Sequence, residues 1–170
     1  FKTDAYVIKY RNSDDLCEHF NINKSEIKFK EPFLLDAILA MCTQKIIFDE
    51  IDYDLINEFV IDKHKVEEFK DNKNRLWIDD SKATNVDATI NALVPYKEND
   101  IHIILGGDDK GANLLPLFEN IKDLKIYVYA IGTNADKISD YCNQFNIRVK
   151  NCLFLNIAVN QIDKYHTQNS

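Results

Sequence analysis

Apolar residues recur along the chain with two periods. After Pro32, apolar positions in PFLLDAILAMCTQKI follow helical spacing, and the proline stands where a first turn tolerates it. Later, apolar runs alternate with helical stretches: the runs lie at 101–105, 126–131 and 147–149, and the helices near 85–97, 112–121, 135–145 and 155–165. This alternation predicts βαβ units and a largely parallel sheet covered on both faces. The second part of the chain is therefore predicted to be a Rossmann-like α/β domain.

The first sixty residues carry weaker signals. Residues 5–10 and 27–30 are compatible with strands, and a short helix is predicted over 54–61, with Asp52 and Asp54 near its positive end. A polar DNKN turn precedes a strand over 76–78, which predicts a hairpin or a crossover at the start of a new domain. We therefore predict one domain over residues 1–62 and a second over 63–170.

Charge and composition exclude several classes of protein. Asp and Glu outnumber Lys and Arg by 28 to 21, so the chain has a net charge of -7, the wrong sign for binding nucleic acid. Four cysteines without CxxC spacing and four histidines without ligand spacing predict reduced thiols, no metal site and a cytoplasmic protein. No apolar stretch approaches the ~20 residues that a membrane helix needs. We expect a monomer without membrane insertion.

Polar residues with candidate chemistry follow the strand at 76–78. Asp79, Asp80, Ser81, Lys82, Ala83, Thr84 and Asn85 stand directly before a predicted helix. A lysine and hydroxyl groups at a helix N-terminus favour binding of phosphate or carboxylate. Capping by Thr84 or Asn85, with Asp79 and Asp80 as solvated turn residues, is the alternative. Capping alone does not require Lys82, whose charge opposes the helix dipole.

A second polar loop, GGDDKG at 106–111, follows the strand at 101–105. Paired glycines permit a tight turn, and Lys110 adds a mobile cation. Ligands bind at the carboxyl ends of parallel strands, so the two loops would share a crevice if their strands are neighbours. An ordinary charged turn is the alternative. The chain contains neither GxxxxGK[ST] nor GxGxxG, so it is not expected to bind a triphosphate or dinucleotide alone.

Two motifs in order, IDDSKATNVDATINAL and ILGGDDKGAN, resemble the C-terminal domain of the Mur ligase family, in its D-glutamate-adding members. His64-Lys65-Val66-Glu67 is similar to the His-Arg-x-Glu element that opens that domain. The helix after Pro32 is similar to the end of the family's central P-loop ATPase domain. The resemblance implies an α/β fold consisting of a Rossmann-like C-terminal domain preceded by the tail of that ATPase domain.

The same resemblance implies a reaction and its residues. ATP, with Mg²⁺, would activate the carboxylate of UDP-N-acetylmuramoyl-L-alanine as an acyl phosphate, which the amine of D-glutamate attacks, a step of peptidoglycan precursor synthesis. Lys82 would contact the transferring phosphate or the substrates, Thr84 would help bind D-glutamate, and Lys110 would pair with its carboxylate. Four residues would lie near ATP: His64, Asp80, Lys65 in place of the family's arginine, and Asp36 in place of an amide.

Other interpretations remain open at this point. The family includes ligases that add other amino acids, and a non-catalytic α/β module that binds an anion or a partner would also lack a P-loop. The chain starts without Met and stops after a predicted helix, so we expect the natural sequence to continue beyond it. ATP and Mg²⁺ would then be bound mainly by other parts of the ligase, and the chain alone would be inactive.

Overall fold

The computed structural model describes residues 7–108 and 111–165. They form two compact units that divide between Ile61 and Asp62. In the part that the structure describes, the first unit is helical, and the second combines helices with two small sheets. No helix among these residues has both the length and the apolar character of a membrane span.

The described residues of the first unit form three α-helices: α1 (Ser13–Phe20), α2 (Phe33–Phe48) and α3 (Tyr53–Glu58). The helix predicted after Pro32 is confirmed as α2, whose Ile38 and Met41 side chains are almost fully buried. Asp52 caps α3 as expected, because its carboxylate accepts the Leu55 N–H at 2.9 Å. The strands considered at 5–10 and 27–30 are wrong where the structure describes them, since residues 7–10 and 27–30 have no regular structure.

The second unit begins with an antiparallel hairpin of β1 (Glu67–Lys70) and β2 (Leu76–Asp79). Of the two connections that the polar DNKN turn predicts, the hairpin is confirmed. Asp71 organises this turn, since its carboxylate accepts the backbone N–H groups of Lys73 and Arg75 at 2.9 and 3.1 Å.

A three-stranded parallel sheet, ordered β3-β4-β5, forms the centre of the second unit. Its strands are β3 (Ile101–Gly106), β4 (Ile126–Ile131) and β5 (Arg148–Leu153). The helices of the unit are α4 (Val86–Leu93), α5 (Leu115–Ile121), α6 (Ala135–Gln144) and α7 (Leu155–Tyr165). The α/β class and the parallel sheet are confirmed.

Alternation along β4 explains why both faces of the sheet are covered. Val128 and Ala130 point into a core that includes side chains of α5 and α6. Tyr129 points to the opposite face, where it packs with Ala158 and Ile162 of α7. All three β4 side chains are fully buried, as expected for a parallel strand between helical layers.

The condition set for a crevice shared by the two polar loops is not met. The two strands would have to be neighbours, whereas β2 pairs with β1 in a separate antiparallel sheet. The loops that follow β2 and β3 therefore do not follow hydrogen-bonded neighbours. Periodicity assigns a segment to a strand but does not say which strand it pairs with.

Candidate functional site

Antiparallel pairing of β1 and β2 brings two polar segments together. Glu67 at the start of β1 lies opposite Asp79 at the end of β2. The turn at 62–66 and the loop at 80–84 therefore leave the hairpin at the same end. We call these two segments, together with Glu67 and Asp79, the hairpin-end site.

His64 is the most connected residue of the hairpin-end site. Its ring nitrogen Nδ1 lies 2.7 Å from Asp79 Oδ2, and its backbone N–H donates to Glu67 Oε2 at 3.0 Å. Its side chain is nevertheless 53% exposed, so a ligand can reach the ring.

The backbone of this turn adopts a conformation that most side chains avoid. His64 has φ 67° and Val66 has φ 47°, and a positive φ is unfavourable for a β-branched residue such as valine. Two hydrogen bonds oppose this strain: Val66 N–H donates to Asp80 Oδ1 at 3.2 Å, and Lys82 N–H donates to the His64 carbonyl at 3.1 Å. Strained turns stabilised in this way are common at binding sites, although strain alone does not assign one.

Asp79 and Asp80 are adjacent but have opposite electrostatic environments. The hydrogen bond from His64 and a second from the Ser81 N–H lower the pKa of Asp79 to about 2. Burial raises the pKa of Asp80 above its ordinary value, against the hydrogen bond from Val66. Asp79 is a turn residue as that alternative expected, because it accepts the N–H of Ser81 two residues on, but both carboxylates accept backbone N–H groups and both residues are half-buried.

Lys82 extends from this loop with little restraint. Its Nζ lies 3.4 Å from Asp62 Oδ2, a long contact between side chains that are 45% and 74% exposed. An exposed pair of this kind contributes little stability. The ammonium group can therefore exchange Asp62 for an anionic ligand at small cost.

Neither Lys82 nor Thr84, the two residues of this loop predicted to bind anions, is the N-cap of α4. Asn85 caps α4, accepting the Ala88 N–H at 2.8 Å, so the capping explanation is confirmed for that residue. Thr84 is exposed directly before the cap. Lys82 and Thr84 thus remain available in the same loop.

The structure brings three of the predicted site residues together. The backbone of Lys82 donates directly to that of His64, and Asp80 accepts from Val66 in the same turn as His64. Lys65 is exposed in the same turn. Asp36 lies in the other unit, exposed in the first turn of α2. Lys110 lies outside the described residues, so its predicted role stays a prediction.

The glycine-rich loop after β3 approaches the loop after β4. Gly132 has φ 73°, and a Cβ built on it would lie 2.9 Å from the backbone nitrogen of Gly107. Thr133 Oγ1 donates to the Gly107 carbonyl at 3.0 Å. The backbones therefore approach closely at Gly107, whose partner is the loop after the neighbouring strand β4.

Sequence spacing did not indicate the cluster of His64, Glu67 and Asp79. One ligand atom from each residue lies within 4.8 Å of the others, a spacing that one metal ion could bridge. Strand pairing, rather than linear spacing, brings them together, and a hairpin prediction with the correct register was the only available signal. Hydrogen bonds within the cluster already explain its geometry, so we assign no metal to it.

Two groups of bacterial enzymes match almost the whole chain. The UDP-N-acetylmuramoylalanine–D-glutamate ligase of Campylobacter jejuni strain RM1221 is 46% identical over 163 residues, which is 96% of this chain and 40% of that ligase. The enzyme of the same name from Helicobacter pylori strain 26695 is 42% identical over 177 residues, 98% of this chain and 42% of that ligase. The resemblance to the Mur ligases is confirmed.

This chain is thus homologous to D-glutamate ligases but spans only about 40% of the length of these relatives. A third D-glutamate ligase, from Buchnera aphidicola strain Tuc7, is 39% identical over 89 residues, or 52% of this chain. No protein-family model matches the chain. The α/β architecture of the second unit agrees with a Rossmann-like C-terminal domain of a Mur ligase.

Proposed function

We propose that this chain is part of an ATP-dependent ligase that adds D-glutamate to UDP-N-acetylmuramoyl-L-alanine in the cytoplasm. The observation that carries the proposal is the homology to D-glutamate ligases over 96% of the chain. The hairpin-end site supports it, because it combines a weakly paired cation, two hydroxyl groups, a partly exposed imidazole and four carboxylates.

Each charged stage of amide formation through an acyl phosphate requires cations and oriented donors. Lys82 would contact the transferring phosphate, since its ammonium has only the long contact to Asp62 to give up. Thr84 would donate its hydroxyl to a carboxylate of D-glutamate, and Lys110 would pair with a carboxylate of the same amino acid. Lys82 and Thr84 stand two positions apart, so one loop could serve both reactants.

The nucleoside of ATP would lie against the other half of the hairpin-end site. Asp80 keeps a carboxylate oxygen that can accept from a ribose hydroxyl, because only Oδ1 is engaged by Val66. His64 would contact the nucleoside with its exposed ring edge, and Lys65 beside it would contact the phosphates as a point charge.

ATP supplies the phosphoryl group as a substrate, and Mg²⁺ would neutralise its phosphates. The carboxylates of the hairpin-end site accept hydrogen bonds from backbone N–H groups and His64, so they suit the nucleoside better than a metal. We therefore propose that Mg²⁺ and the phosphates are bound mainly outside this chain.

Mass spectrometry of the product tests the proposal. The complete ligase is incubated with ATP, Mg²⁺ and UDP-N-acetylmuramoyl-L-alanine, with D-glutamate, L-alanine or a diamino acid as the amine. We expect one new amide, formed with D-glutamate. Amide formation with a different amine instead would assign the chain to another ligase of the family, and no amide with any of them would favour a non-catalytic binding module.

A further inference from the structure

Asp79 is fixed at both of its carboxylate oxygens. Oδ1 accepts the backbone N–H of Ser81 at 3.0 Å, and Oδ2 lies 2.7 Å from Nδ1 of His64. Its place opposite Glu67 in the hairpin fixes the backbone as well. The carboxylate therefore presents an acceptor to His64 in a single orientation.

This orientation decides which ring nitrogen of His64 carries the proton. A carboxylate with a pKa of about 2 is ionised at neutral pH and only accepts hydrogen bonds, so Nδ1 must be the donor. In a neutral imidazole the second nitrogen then carries the lone pair. Within the described part of the chain, no residue is seen to donate to Nε2, and the side chain is 53% exposed.

We propose that Asp79 is a positioning residue that holds His64 as the Nδ1–H tautomer, so that Nε2 accepts a hydrogen bond from the nucleoside of ATP. The second half rests on the proposed function. A neutral Nε2 lone pair repels phosphate oxygens but accepts from a ribose hydroxyl or an adenine amino group. Recognition of the nucleoside, rather than of the phosphates, is thus built into the Asp79–His64 pair.

Substitution of Asp79 by asparagine separates positioning from a structural role. The Ser81 N–H needs an acceptor, so the carbonyl oxygen of the introduced amide takes the place of Oδ1, and the NH₂ group of that amide faces His64. This NH₂ group donates, so Nδ1 must become the acceptor and the proton moves to Nε2. Asp79→Asn therefore inverts the tautomer while it preserves the size, the hairpin and both hydrogen-bonding contacts.

Long-range ¹H–¹⁵N NMR spectra of the histidine rings report the tautomer directly. They are recorded on this chain at about pH 9, where neutral rings can be compared, and the His64 signals are assigned by their loss in His64→Gln. We expect Nδ1–H in the wild type and Nε2–H in Asp79→Asn. Glu67→Gln is the matched control: Glu67 accepts the His64 backbone N–H, not the ring, so the tautomer should not change.

Kinetics of the complete ligase test the second part of the proposal, that Nε2 of His64 accepts a hydrogen bond from the nucleoside. In Asp79→Asn, Nε2 of His64 changes from an acceptor to a donor. KM for ATP should therefore rise about tenfold, whereas KM for D-glutamate should not change. An Nε2–H tautomer in the wild type, or one tautomer shared by both proteins, overturns the inference. An inverted tautomer with an unchanged KM for ATP overturns only the part of the proposal that concerns the nucleoside. A ligase inactive with every amine instead refutes the proposed function and leaves the tautomer result standing.

Discussion

Arg75 joins the hairpin of the second unit to its last helix: Nη1 of its guanidinium lies 2.7 Å from Oδ1 of Asp163 in α7. Arg75 also donates from Nε to Asp71 at 2.6 Å, and both side chains of that pair are less than a fifth exposed, at 14% and 18%. The hairpin-end site lies at one end of the hairpin. The contact from Arg75 connects the opposite end to α7. Arginine suits the position because its planar group can serve two carboxylates at once.

Replacement of Arg75 by methionine should destabilise the protein. The substitution keeps much of the side-chain volume but leaves two carboxylates without their shared cation. We expect the thermal midpoint to fall by about 5 °C, measured by circular dichroism. Lys73→Met is the matched control, because Lys73 also contacts Asp163 but is 52% exposed, so its loss should change the midpoint much less. Equal effects of the two substitutions would refute the importance of Arg75.

The pH dependence of stability should include a contribution from Asp71. Arg75 lowers the pKa of this carboxyl below its ordinary value, helped by the Trp77 indole N–H at 3.0 Å. Ionised Asp71 therefore stabilises the folded state above about pH 4, its unfolded pKa, and this contribution is lost as the pH falls through the lower folded pKa.

Urea unfolding of Asp71→Asn and wild type at several pH values checks this sign. The difference in midpoint should be largest at neutral pH and should shrink below about pH 4. Asp140→Asn, at an exposed position on α6, serves as the control and should show a small difference throughout. A difference for Asp71→Asn that grows on acidification would mean that the sign is wrong.

Gly132 should be intolerant of a side chain. Its φ of 73° is unfavourable for alanine, and the added Cβ would lie 2.9 Å from Gly107 N. Gly111 has φ 78° and shares the first problem but not the second, because among the described residues other than its chain neighbours no atom lies within 4 Å of the built Cβ. Gly132→Ala should therefore cost about 2 kcal/mol or more, and Gly111→Ala about 1 kcal/mol. Equal losses in urea unfolding would rule out the contact between the two loops.

The chain alone should bind ATP weakly or not at all. It contains no GxxxxGK[ST] sequence, the motif whose backbone N–H groups bind nucleotide phosphates in P-loop proteins. Calorimetry of the 170-residue chain with ATP and Mg²⁺ should show no tight binding. A micromolar or lower dissociation constant would show that the described residues, or Lys110 beside them, supply a phosphate site that the sequence did not reveal.

Part of the second unit could be predicted because two strands of its parallel sheet, β3 and β4, are largely apolar. The buried strand β4, in particular, has no polar group except its tyrosine hydroxyls, and its boundaries match the prediction. β5 runs to Leu153, although only 147–149 was predicted, because Lys150 and Asn151 interrupt its apolar pattern. Helix α1 was missed, since Leu16 and Cys17 are its only buried residues.

The hairpin-end site could be predicted only in part. A lysine and hydroxyl groups before a helix indicated Lys82 and Thr84, and the resemblance to Mur ligases added His64 and Asp80. The role of Asp79 could not be inferred, because it depends on the register that places it opposite Glu67 and beside the His64 ring. Register is set by three-dimensional packing and turn geometry rather than by residue type alone.

Phosphate release by the complete ligase, with and without Lys82, tests the central claim most directly. The assay contains ATP, Mg²⁺, UDP-N-acetylmuramoyl-L-alanine and D-glutamate, and compares wild type with Lys82→Ala and with the exposed control Lys97→Ala. We predict release that depends on D-glutamate, falls about 100-fold or more in Lys82→Ala, and persists in Lys97→Ala. Release that does not require D-glutamate, or that survives the loss of Lys82, would contradict the account.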